Sequence, residues 1–230
     1  MRSSTVLPVS AIIAVVLFFA GSAVLGTPPT GGASGQDVVS WFATNTWQVR
    51  AAVWLWTLQA VVWATAIALA RNRLPAPHRD VFFVGGITLS AEAAVSTWFW
   101  AGLSWHATDL RPETARALLD VTSFWGPVLT GSTLAMTIPV ASLSLGKRPV
   151  LPRWLGAVGA LALVEQLIES VATIFGQSGF TEPGGAMNLE LGAALVSIWF
   201  ICLAVSLGRR SGAVAARPGL GGELPQAGRG

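Results

Sequence analysis

Six stretches of the chain each have the length a helix needs to cross a bilayer, and they leave little sequence for anything else. Crossing the hydrocarbon core takes about 20 mostly apolar residues at about 1.5 Å rise per residue. Such runs fall at residues 8–26, 50–70, 81–103, 127–145, 154–175 and 189–208. Of the 230 residues, 53% are hydrophobic and only 11% are charged. A soluble domain carries about 25% charged residues. The expected fold class is an all-α membrane protein: a six-helix transmembrane domain over residues 1–208, then a disordered cytoplasmic tail over 209–230.

The connecting segments set a direction. With a cytoplasmic amino terminus, the inner face holds Arg2, Arg71, Arg73, Arg79, Lys147, Arg148, Arg153, Arg209, Arg210, Arg217 and Arg229. The outer face holds only Arg50, Arg111 and Arg116. That asymmetry predicts both termini in the cytoplasm of a multi-pass cell (inner) membrane protein. The first run has a rival reading as a signal peptide, having a basic start and small residues at its end. Its apolar stretch is longer than the 7–15 residues usual for such signals, which favours a span. The net charge of +3 lies in short clusters between apolar runs. It therefore reports topology, and no nucleic-acid partner is expected. The bilayer itself is the expected partner.

The outer segments carry local signals. "GQDVVSWFATNTWQVR" brings Val38, Val39, Trp41 and Phe42 within one or two turns, as in a short helix lying in the headgroup layer. "DLRPETARALLDVTSFWGP" reads as a helix start, with Pro112 and Glu113 in its first turn. Arg116 and Asp120 then pair at i,i+4, and Gly126-Pro127 marks a break before the fourth span. "GQSGFTEPGGAMN" is a flexible connection, after which Glu190 sits at the start of the sixth helix. Trp41, Trp47, Trp105, Trp125 and Trp154 fall near interfaces, as an aromatic belt requires. Trp56, Trp63, Trp98 and Trp199 fall deeper and are expected to pack against neighbouring helices.

Polar groups meet at the midplane. Glu92, Glu165, Gln59 and Ser197 stand near the centres of four different runs. Glu169 lies one turn from Glu165 on the same face, about 6 Å nearer the outside. No Lys, Arg or His lies in any span core. An unpaired carboxylate at the bilayer centre costs about 2.5–3.5 kcal/mol even on the lenient insertion scale. Glu92 and Glu165 are therefore expected to face the bundle interior, protonated at rest and hydrogen-bonded to Gln59, Gln166 or nearby hydroxyls. Polar groups of this kind serve as interhelical ties worth about 0.6 kcal/mol each, or as a proton or substrate path.

Familiar chemical motifs are missing or misleading. "GPVLTGST" mimics a phosphate loop but has Ser132 at the essential lysine position. His78 and His106 lie on opposite membrane faces and cannot share a metal. Cys202 is the only cysteine and reads as a small apolar residue. No catalytic, cofactor-binding or metal-binding residue is expected. Gly156 and Gly159 in "LPRWLGAVGALAL" read as a close-packing helix face.

The segments "DVVSWFATNTWQVRAAVWLW", "RPETARALLDV" and "LPRWLGAVGAL" make the layout from residue 35 to 207 resemble a family of uncharacterised bacterial six-helix integral membrane proteins. That family carries a domain of unknown function. The resemblance implies the topology and transfers no catalytic residue. The expected function is binding or transport of a small or lipophilic molecule, with proton-linked acids among Glu92, Glu165, Glu169, Gln59 and Gln166. The alternative is a non-catalytic membrane subunit that docks a protein partner or a second copy. A lipid-acting enzyme using His106, Asp109 and Glu113 is the third, lacking any placed nucleophile.

Overall fold

The computed structural model describes residues 3–123, 125–175, 179–182 and 184–215. The regular elements among these residues are all helical, with no strand. The long helices are α1 (Ser3–Leu25), α3 (Thr46–Arg71), α4 (His78–Trp105), α6 (Trp125–Leu145), α7 (Arg153–Phe175) and α8 (Ala193–Ala215). Two shorter ones are α2 (Gly35–Thr44) and α5 (Pro112–Ser123). Five helices contain stretches long and apolar enough to cross a membrane: Thr5–Leu25, Thr46–Arg71, His78–Trp105, Arg153–Val171 and Glu190–Arg210. The protein is a multi-pass, all-α membrane protein. The described apolar stretch of α6, Leu129–Leu145, is shorter.

Successive long helices pack as neighbours, and the chain then closes on itself. α1 packs on α3, α3 on α4, α4 on α6, α6 on α7, α7 on α8, and α8 returns to α1. The half of this ring that holds the basic loops is solid. Each helix contributes a fully buried side chain there, as with Leu7, Ile67, Phe82, Met136, Leu155 and Leu203. Small residues set the spacing. A Cβ on Gly156 would stand 2.6 Å from the Ser144 Cβ of α6, and one on Gly159 would stand 2.7 Å from the Trp199 Nε1 of α8. The close-packing face read from "LPRWLGAVGALAL" is thus shared between two neighbours.

The opposite end carries α2 and α5 as a second layer. Ser34 and Asp37 cap α2 reciprocally: the Ser34 hydroxyl accepts from the Asp37 N–H, and the Asp37 carboxylate accepts from the Ser34 N–H at 3.0 Å. Val38 and Phe42 of α2 are buried with Ala115 and Leu119 of α5. Protein rather than headgroups therefore covers much of the apolar face of α2, a correction to the interfacial helix expected from its sequence. Neighbouring α5 satisfies that face more completely than an interface can.

Other boundaries shift. α6 already runs from Trp125, so Gly126 and Pro127 lie in its first turn, where proline's missing N–H has no cost. The phosphate-loop mimic "GPVLTGST" is correspondingly helical. α8 continues to Ala215, so residues 209–215 extend the helix instead of opening the tail. The rest of the expected tail, 216–230, lies outside the described residues, as do Arg217 and Arg229. Trp98, expected to pack deep, is 70% exposed on the outer wall of the bundle, whereas Trp63 and Trp199 are buried.

Candidate functional site

The half of the ring beneath α2 and α5 is hollow. A cavity of about 710 Å³ lies among all six long helices, with the 26–30 connection and residues Gly179, Phe180, Glu182, Gly184, Gly185 and Ala186 also lining it. Helical periodicity brings one stripe of each helix to it. On α4 the stripe is Ser90, Ala93, Thr97 and Trp100; on α3 it is Trp56, Gln59, Ala60 and Trp63. Steps of three and four residues keep those side chains on a single face. Trp63, stacked on Phe200 with ring centroids 4.4 Å apart, links the cavity floor to the solid half.

Gln59 lines this cavity half-buried and makes no hydrogen bond among the described residues. It does not join the acids as the sequence suggested. Glu165, Gln166 and Glu169 do meet. The Gln166 Nε2 donates to Glu165 Oε2 at 3.0 Å and to Glu169 Oε2 at 2.7 Å. All three residues are buried, and Glu165 Oε1 has no hydrogen-bond partner. Gln166 also reaches the cavity wall.

A feature that sequence reasoning missed covers this trio. The connection into α8 winds as a π-helical turn, Met187–Gly192, packed on α6, α7 and α8. A Cβ on Gly192 would stand 2.8 Å from Gln166 Nε2 and 3.0 Å from Glu169 Oε2. Glycine therefore permits the turn to settle directly over the acids. Glu190, expected to open a regular helix, is instead part of this wider turn and lines the cavity with Glu182. The only available signal was the glycine itself, two residues after an acid in "MNLELG".

Glu92 stands apart. Seven residues before it, Gly85 allows α4 to approach α6, where an added Cβ would stand 2.7 Å from Ser132 O. The same face carries Glu92 toward α6, and Ser132 Oγ donates to Glu92 Oε2 at 2.7 Å. The expected midplane layer is therefore two separate sites: a Glu92–Ser132 pair between α4 and α6, and a Glu165–Gln166–Glu169 trio on α7. Thr130 Oγ1, at 3.5 Å, donates to the Gln166 carbonyl on the trio's own helix.

Arg116 fixes one lip of the cavity. Its guanidinium pairs with Asp120, with Nη2 to Oδ1 at 2.9 Å. It also donates to the backbone carbonyls of Thr30, Gly31 and Ala33, beyond the α1 end. The spacing signalled the ion pair; nothing local signalled the carbonyls. The histidines sit at opposite ends of α4, about 42 Å apart along 28 helical residues. His78 Nε2 meets Ser142 Oγ at 2.9 Å, and His106 Nδ1 lies 3.4 Å from Asp109 Oδ2. Among the described residues, no group of three or more His, Cys, Asp and Glu is placed to hold a metal ion.

The geometry provides a compartment with apolar walls and a fixed polar rim, rather than a nucleophile held beside a base. No family model, curated protein or solved structure matches the chain.

Proposed function

We propose that this is a six-span inner-membrane protein, with both termini cytoplasmic, that binds a small lipophilic molecule in its central cavity for transport. The observation that carries the reading is the division of the ring: the basic-loop half is solid, whereas about 710 Å³ of the other half is open. Ligand pockets generally occupy about 300–1,000 Å³ with mostly apolar walls and a few polar groups. In this reading α6 is the sixth span, tilting or thinning the bilayer to match its shorter apolar stretch. The basic loops face inward, so the cavity opens toward the outside.

Glu165 and Glu169 are the proton-linked acids of this proposal, coupled to the cavity through Gln166. An amide that bridges two buried carboxyls holds them where one proton can be retained without any cation. Glu92 is assigned to the tie between α4 and α6. The resemblance to uncharacterised six-helix membrane proteins belongs to the same proposal and adds only topology.

The test is ligand capture by protein in lipid nanodiscs, read from tryptophan fluorescence with a small lipophilic probe such as octanol. Saturable binding that Ala93→Phe or Ala60→Phe removes, while leaving the helical circular dichroism intact, is expected. Binding unchanged in both filled variants contradicts the cavity as the site.

A further inference from the structure

The cavity's polar lining offers acceptors and few donors. A serine or threonine hydroxyl has one hydrogen and two lone pairs. Ser22 spends its hydrogen on the Phe18 carbonyl, Ser90 on Gly86 and Thr97 on Ala93. Thr122 and Ser123 both donate to the Leu119 carbonyl. Each of these five residues lines the cavity and retains only lone pairs for a guest.

The nitrogen donors are withdrawn in the same way. The Trp56 indole N–H donates to Phe18 O at 3.2 Å. The Trp63 indole N–H has no acceptor among the described residues, but it is buried away from any accessible surface. Gln166 turns its amide nitrogen to the two glutamates, leaving its carbonyl oxygen as an acceptor. The Gln59 amide and the hydroxyls of Ser96, Thr133 and Ser197 are the donors that remain adjustable.

Formal charge points the same way. Among the described residues, Glu182 and Glu190 line the cavity, and no Lys, Arg or His does. Phe18, Trp56, Trp63 and Trp100 supply aromatic walls. Aromatic faces attract cations, most strongly where water is excluded. Such a site leaves an anion unpaired and a neutral alcohol underused, but matches an ammonium group's donors and charge.

We propose that the cavity selects a lipophilic cation bearing N–H donors, a protonated amine on an apolar body, through its acceptor lining, aromatic walls and the carboxylates of Glu182 and Glu190. This rests on the reading that the cavity holds a small lipophilic molecule. The experiment compares octylamine, octanol and octanoate at neutral pH on the protein in neutral-lipid nanodiscs, scoring only binding that Ala93→Phe or Ala60→Phe abolishes. The expected result is a Kd for octylammonium at least tenfold below those of the other two. The Glu182→Gln/Glu190→Gln double variant narrows that gap and keeps its octanol affinity. Equal affinities in the native protein, or a gap that the double variant leaves unchanged, overturn the selectivity while leaving the cavity as a binding site. Absence of any binding sensitive to the filling variants overturns both.

Discussion

Arg116 joins two parts of the protein that are distant in sequence. Its charged hydrogen bonds to Asp120 and to carbonyls of the 30–33 stretch hold the outer lip against α5. Hydrogen bonds to charged groups contribute about 1.5–3 kcal/mol each. Arg116→Met is expected to make the 26–34 connection protease-sensitive while the helix content persists; limited proteolysis in nanodiscs checks this. Asp37 provides a pH-dependent counterpart in the same layer. Hydrogen bonds from the Ser34 side chain and backbone hold its carboxyl below the usual aspartate range. A carboxyl depressed in the folded state stabilises above its unfolded value, and the stabilisation is lost as pH falls through the folded value. Amide exchange in α2 should therefore accelerate on acidification below about pH 4. Ser34→Ala should remove most of that pH dependence. The Arg116–Asp120 spacing was local and legible. The carbonyls that Arg116 grips were not, because backbone acceptors carry no side-chain signature.

At the scale of helices, glycine position decides how closely neighbours approach. Gly159 faces Trp199 across the α7–α8 contact, and a larger residue there has no space to enter. Gly159→Leu is expected to destabilise by about 1–3 kcal/mol or more, read as a lower melting temperature in nanodiscs. Gly102 on α4 has open space around its Cβ position. Gly102→Ala is expected to be neutral or to stabilise by up to about 1 kcal/mol through helix propensity alone. The contrast separates packing from propensity. The small-residue face of α7 was readable because its glycines recur at three-residue spacing. Helix rotation was less so. In α4, Trp98 looks outward and Trp100 lines the cavity, only two residues apart. Lipid and core are both apolar, so the periodicity that orients a helix in a soluble protein is weak here.

For the whole molecule, the long apolar runs carried the all-α, multi-pass class, but not how the runs close into a ring. Equal depth along the chain placed Glu92 beside Glu165 in the sequence reading, whereas they hydrogen-bond to different partners. Depth comes from counting residues; azimuth comes from packing, which one sequence does not encode legibly. The hollow half was equally hidden, since its walls are made of the same Ala, Ser, Thr and Trp that fill an interface. In the proposed orientation this hollow faces outward above a sealed inner half. Single cysteines at Ala93, in the cavity, and Ala204, in the solid core, introduced into a Cys202→Ser background, test it with a small membrane-impermeant thiol reagent on oriented vesicles. Ala93→Cys is expected to react from the outer face only, and Ala204→Cys from neither. Reaction of Ala93→Cys from the cytoplasmic face alone, or of Ala204→Cys from either face, contradicts it.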